Sequence, residues 1–383
     1  MYHAIMDFIN GGSFMQKDFV QLHRDVCFKP GNRKIIWQPR IGCWISDHIS
    51  RDGQLPGPYA GMSKPELYRA LGCSARIYEY NACFVRTEDP RVNVAVEEID
   101  GNRELHTIEC PVGKITCIMR RNSSNVGKYY EKWWVNSEDE LKVLEWVDSR
   151  ARWSFDHEKY NLLNNEWGGL GAPCIFMPRI GIQHLYIRQM GFINTSYALA
   201  DYPDSVRKYC DALHANQEGL IEVINESPID IINYGDNLHD GYLSPDIFEE
   251  FVLPIYQKRG ELLHKGGKFT YSHWDGDVKR ILKYAKECEL DGIEAITPVP
   301  QGDVTLQEAK DAMGDMYMVD GIAAILFDER YSEEELLEQA REVIELFAPN
   351  LILGISDEIS STGDIERVKL VGQLVDEYNE SAG

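Results

Sequence analysis

Basic side chains are scarce in this sequence: 39 Lys and Arg stand against 62 Asp and Glu, a formal net charge of −23. Such a surface repels phosphate backbones and argues against a nucleic-acid partner. Long apolar runs are missing too. No stretch approaches the roughly 18 residues of a membrane-spanning helix, so no membrane partner is expected. The start, Met1 to Asn10, has neither the basic opening nor the apolar run of a secretory signal, and a cytoplasmic location is expected. The nine cysteines are scattered from Cys27 to Cys288 with no CxxC pair. That pattern reads as reduced thiols, not as a disulfide framework. Two glycosylation-like triplets, at Asn122 and Asn194, are chance matches without a secretory signal. No Pro/Gly/Ser-rich linker or low-complexity tract divides the chain.

Aromatic residues are plentiful: 8 Trp and 20 Tyr, many of them in the first half. Most are expected in the core, and a minority could wall a pocket for a flat substrate. The C-terminal portion alternates short apolar runs with helical patterns. Strands are predicted over 230–234, 268–273, 292–296, 316–319 and 350–354, and earlier ones over 35–38 and 174–177. Such alternation implies a parallel sheet. Ser332 to Glu335 and Ser137 to Glu140 have the spacing of capping boxes, and Ser244-Pro245 places proline at a first helical position. A helix is also predicted from Asp277 to Glu289. The segment 92–135 differs: three short runs separated by turn residues predict an antiparallel insertion. Gly168-Gly169-Leu170-Gly171 follows no strand and reads as a loop.

Polar residues gather where the predicted strands end. Asp236, Asn237 and His239 follow the first of the C-terminal series, and His273 and Asp275 the second. Glu294 lies in the third, Asp320 closes the fourth, and Ser356, Asp357 and Glu358 follow the last. In a barrel of parallel strands these ends share one mouth, where chemistry is done. Taken singly, an acidic residue there is more often a helix cap, and His273 is as readily a hydrogen-bonded core histidine. Their recurrence at equivalent positions weighs against that. One histidine with two or three carboxylates suits a divalent metal, zinc first. Pro-Arg-Ile-Gly occurs twice, at 39–42 and 178–181, and puts Arg40 and Arg179 just after strands.

Four segments carry a family resemblance over roughly Ile35 to Tyr378: Gly235-Asp236-Asn237 with Leu243-Ser244-Pro245-Asp246-Ile247-Phe248; Tyr271-Ser272-His273-Trp274-Asp275-Gly276; Asp291-Gly292-Ile293-Glu294-Ala295 with Gly302-Asp303; and Ile352-Leu353-Gly354-Ile355-Ser356-Asp357. The chain resembles the uroporphyrinogen decarboxylase superfamily, which implies an α/β fold, a (β/α)8 TIM barrel. Here the barrel would be preceded by a helical extension over 1–30 and interrupted by the 92–135 insertion. The arginine-rich run that grips substrate carboxylates in the founding decarboxylase is replaced by Gln38-Pro39-Arg40-Ile41-Gly42-Cys43-Trp44, and the mouth is expected to be acidic.

The methyltransferase branch is a better match. The sequence is similar to methylcobamide:coenzyme M methyltransferases, whose zinc ligands lie in His-x-Cys-Gly and Gly-Cys-Gly-Ile motifs. The resemblance implies His273, Asp275 and Asp357 as zinc ligands, with aspartates in place of both cysteines. Harder oxygen ligands would make the zinc a stronger Lewis acid, suited to polarising an ether oxygen. The implied activity is O-demethylation. A methyl group would leave a small methoxylated, aromatic substrate for the Co(I) corrinoid carried by a small partner protein. Asp236 is expected to act as general acid or substrate hydrogen-bond partner, and Glu294 as a replacement ligand or a support behind the ligands. Arg40 or Arg179 would bind a substrate carboxylate, unless each is only an ion pair at the rim, and Asn237 would contact substrate. Transfer from a methyl-corrinoid to a thiol, and a barrel that only binds a small molecule or a corrinoid protein, are the alternatives.

Overall fold

The computed structural model describes residues 17–122 and 127–382. Its frame is a seven-stranded parallel sheet in the order Ile36–Trp37, Leu351–Ser356, Tyr317–Ala323, Gly292–Glu294, Phe269–Trp274, Ile231–Leu238 and Cys174–Met177. A parallel sheet is covered on both faces, so its strands need apolar residues at consecutive positions. Leu351–Ser356, Leu-Ile-Leu-Gly-Ile-Ser, is buried throughout. Several strands run further than their apolar cores predicted. Ile231–Leu238 includes Asp236 and Asn237, and Tyr317–Ala323 includes Asp320.

The two edges of this sheet are joined by residues 74–77. The Ser74 N–H donates to the Trp37 carbonyl at 2.9 Å, and Ile77 forms a parallel bridge with Pro173. With this segment as the eighth stave the sheet closes into a (β/α)8 barrel. Ser74-Ala75-Arg76-Ile77 is too short and too polar for hydrophobic periodicity to reveal it. Closure also accounts for the glycine-rich loop. Gly168 ends the His157–Trp167 helix in the left-handed conformation (φ 44°). At Gly171 an added Cβ would lie 2.1 Å from the Ala75 carbonyl oxygen.

The barrel floor is sealed. The Phe19–Phe28 helix, N-capped by Asp18, buries Val26 against Ile36, Ile231, Phe269, Val319 and Ile352. This is the described part of the predicted N-terminal extension; its first 16 residues lie outside the described residues. The insertion is present, with one strand more than predicted: Asn93–Asp100, Arg103–Cys110, Gly113–Arg121 and Lys128–Lys132 form a four-stranded antiparallel sheet. A ladder between Phe84–Thr87 and Arg152–Phe155 clamps its root.

Ser332 and Glu335 make both reciprocal bonds and Ser244 caps the turn that begins at Pro245, whereas Ser137 accepts from the Glu140 N–H but the Glu140 carboxylate takes the Asn136 N–H, so that capping box is only half formed. The helix predicted from Asp277 to Glu289 does not form. Only a 3-10 helix, Leu282–Glu287, occurs there. Side chains compete for the backbone donors: Asp303 accepts from the N–H groups of Val278 and Lys279, and Asp240 from that of Arg280. Donors held in this way stay out of an i→i−4 ladder.

Candidate active site

At the C-terminal ends of the strands lies a cavity of about 670 Å³. His273, Asp236, Asn237, Arg40 and Arg179 all line it, each from a different stave or its following loop apart from the adjacent Asp236 and Asn237. The two Pro-Arg-Ile-Gly copies thus deliver both arginines to one mouth.

His273 is fixed from behind. Its Nδ1 lies 2.8 Å from Glu294 Oε2, and its Nε2 is 3.9 Å from Asp275 Oδ2. Arg40 Nη1 also stands 3.4 Å from Nδ1, but a guanidinium can only donate. The short contact to a carboxylate therefore assigns a proton to Nδ1, directed at Glu294, and turns Nε2 towards Asp275. Glu294 is itself fully buried and held on every side: Arg76 donates to Oε1 at 2.5 Å, and Asn233 Nδ2 to Oε2 at 2.9 Å. Arg76 also pairs with Asp320 at 2.6 Å. Burial opposes ionisation of Glu294, but the Arg76 charge, the His273 hydrogen bond and Arg40 outweigh it and hold the carboxyl well below its usual range. Asp320 shifts the other way, raised by burial and by Glu294 against the pull of Arg76.

Backbone strain gathers at the same place. Ala295, Asp320 and Asp357, on three adjacent staves or just past their ends, have φ of 66°, 81° and 66°. Such conformations cost a non-glycine residue about 1–3 kcal/mol and cluster at functional sites. Burial raises the Asp357 carboxyl, and Asp275 raises it further; Arg40 and His273 oppose this.

Residues 185–378, just over half of the 383, match the family model described as uroporphyrinogen decarboxylase (URO-D). The chain belongs to the uroporphyrinogen decarboxylase family. Among solved structures, a methyltransferase from Methanosarcina mazei superposes with a TM-score of 0.56 at 14% identity, covering 94% of this chain and 99% of that one. That likeness establishes the shared fold. A B12-independent methionine synthase from a Shewanella species superposes less well, with a TM-score of 0.45 at 9% identity over 82% of this chain and 83% of that one. No curated protein matches the sequence.

The family match contains His273, Asp236, Glu294 and Asp357, whereas Arg40, Arg76, Tyr130 and Arg179 precede it. The mouth of this family member is not acidic, contrary to the expectation from its sequence. Arg40, Arg179 and Arg188 line the cavity with His184 and His273, and Asp236 is the sole carboxylate among the lining residues. Several of the acidic residues counted from the sequence are turned elsewhere: Glu294 and Asp320 into the Arg76 cluster, Glu358 to the Cys43 N–H at 3.0 Å and towards Arg40 at 3.7 Å. His239 lies outside the lining and accepts from the Gly241 N–H. Glu294 touches no cavity space and is a positioning residue for His273.

Asp236 is buried, with Oδ1 accepting from the Ile180 N–H and Oδ2 from the Tyr256 hydroxyl, both at 2.9 Å. Burial pushes its carboxyl up, opposed by Arg259. Arg40 is engaged by Asp320 at 3.9 Å and Glu358 at 3.7 Å. Arg179 has no carboxylate within ion-pair distance among the described residues, and its buried Nη1 has no hydrogen-bond partner. Arg76 and Arg188 were missed in the sequence because neither sits in a motif, and the stave carrying Arg76 was itself unseen; Tyr130 is one of the first-half aromatic residues of which a minority was expected to wall a pocket.

The expected zinc ligands suit the ion in kind. An imidazole whose Nδ1–H is held by a carboxylate is a well-formed ligand, and the mutual repulsion of Asp275 and Asp357 is what a cation relieves. They are not drawn together around a common point. Among the described residues, no group of three His, Cys, Asp or Glu side chains stands ready to hold a metal. Binding would require the aspartates to close on His273.

Proposed function

We propose that this protein transfers a methyl group from a methoxylated aromatic compound to the Co(I) corrinoid of a small partner protein. The observation that carries this reading is the pose of His273. It is the histidine retained from the methyltransferase motif, its Nδ1 is 2.8 Å from Glu294, and its Nε2 faces Asp275, which stands where those relatives have cysteine. His273, Asp275 and Asp357 would hold zinc, which supplies a Lewis acid when bound.

The protein's own residues account for the rest. Glu294 keeps the imidazole in one tautomer and orientation. Asp236, raised by burial and lining the cavity, would give a proton to the departing oxygen. Expelling a phenolate is the difficult part of ether cleavage, and each ~1.4 kcal/mol of assistance is worth tenfold in rate. Arg179 and Asn237, whose Oδ1 is buried without a partner, are the substrate-binding groups. Arg40 instead braces the loop after the first stave through Glu358 and Asp320.

The test is incubation of purified protein and zinc with a Co(I) corrinoid and a panel of methoxybenzenes and methoxybenzoates. Formation of the matching phenol supports the assignment; no methyl transfer from any member of the panel overturns it.

A further inference from the structure

The structure assigns an anion subsite to Arg179 and Arg188, with Tyr130 of the inserted sheet as its aromatic wall, and we propose that it holds the carboxylate of an aromatic substrate. The proposal rests on the cavity being the substrate site, and does not depend on methyl transfer.

Two cations face this side of the cavity without a carboxylate partner. Neither Arg179 nor Arg188 has an ion pair among the described residues, and both line the cavity. Burial bears most on the Arg179 guanidinium, the Asp236 carboxylate partly compensates it, and the charge of Arg188 acts against it as well. Neither guanidinium has a carboxylate at ion-pair distance among the described residues, and their forked N–H groups match a planar carboxylate. Arg40 and Arg76 carry no such capacity, because their charges are already matched by Glu358, Asp320 and Glu294.

The wall is built, not incidental. Tyr130 stacks on Trp133 with ring centroids 4.3 Å apart and 24° between planes. Arg188 lies within hydrogen-bonding reach of the Tyr130 hydroxyl. Trp133 in turn packs on the backbone of the segment carrying Arg188: a Cβ at Gly191 would be 2.5 Å from its ring, and the Val135 N–H donates to the Gln189 carbonyl at 3.0 Å. The insertion and the Arg188 segment are therefore locked in register at the cavity edge. An aromatic acid fits both features, with its carboxylate between the guanidiniums and its ring along Tyr130. On this account the insertion sets substrate choice.

Calorimetric titration of the full chain with benzoate, 4-methoxybenzoate, methoxybenzene and inorganic phosphate tests the proposal without any corrinoid. Both acids should bind more tightly than methoxybenzene. Arg188→Ala and Arg179→Lys should each weaken the acids about tenfold or more, the usual effect of losing a charge-assisted contact. Arg188 is exposed, so Arg188→Ala leaves the fold intact. Tyr130→Leu should weaken acids and methoxybenzene alike. Failure of the acids to bind, unchanged affinity in Arg188→Ala, or equal competition by phosphate overturns the subsite. Intact acid binding with no methyl transfer would overturn the proposed reaction and leave the subsite standing.

Discussion

The Nδ1 of His273 and the Oε2 of Glu294 are 2.8 Å apart, and Glu294 is fully buried behind the imidazole. This pairing makes Glu294 the residue through which the barrel interior controls the orientation of the cavity histidine. Glu294→Gln keeps the shape but removes the charge facing Arg76 and the strong acceptor for Nδ1–H. Loss of an orienting partner of this kind reduces activity about 10- to 100-fold. The expected outcome is a fall in kcat for methyl transfer with KM near that of the parent protein. An unchanged kcat in a variant with a native melting profile would remove Glu294 from the mechanism.

Zinc is expected to bind at ~1 per chain, a closed imidazole–carboxylate set being adequate for this ion. Elemental analysis after dialysis against zinc measures it. His273→Ala and Asp275→Ala should each abolish retention. Protein that takes up no zinc, or variants that keep it, would show that the aspartates do not close on His273. Proton donation by Asp236 would then be left to activate the departing oxygen.

Barrel closure can be tested far from the chemistry. Gly171 admits the Ala75 carbonyl at a distance that no Cβ allows. Gly171→Ala should force residues 74–77 outward and destabilise the protein by about 1–3 kcal/mol, as overpacking does. Arg76 lies on that stave, so the same variant should also lose activity. Urea unfolding reads the first effect, and stability equal to the parent would contradict the closure.

Stability should fall with acid in a defined window. His23 and His214 are held neutral by burial, each pushed down from 6.5 to about 3, with Arg76 adding to the effect on His23 and Arg259 to that on His214. A histidine with a depressed folded pKa binds its proton more readily when unfolded, so stability is fully present above pH 6.5 and is lost as pH falls towards 3. The slope is ~1.4 kcal/mol per pH unit for each such group. His214 accepts the Gly181 N–H at 2.9 Å through Nε2, a bond that His214→Gln can retain without titrating. Denaturation between pH 7 and 4 should show a shallower decline in that variant; identical slopes would exclude His214 as a source.

Seven staves, the inserted sheet and several capping sites were legible in the sequence, because apolar runs, turn residues and Ser-x-x-Glu spacing are local signals. The strand-end positions of His273, Asp236 and Arg179 were legible for the same reason. What each side chain faces was not. Glu294 and Asp275 both looked like mouth residues, yet Glu294 points into the barrel wall because Arg76 waits there, on a stave too short and polar to be seen. The sign of the cavity followed the same rule. Counting charges predicted an acidic mouth, but several of the acids are neutralised by arginines or bound to backbone donors, while Arg179 and Arg188 are left without a carboxylate partner among the described residues. Chain composition fixes how many charges there are; only the closed barrel decides which of them remain uncompensated, because pairing is set by distances between staves that are remote in sequence.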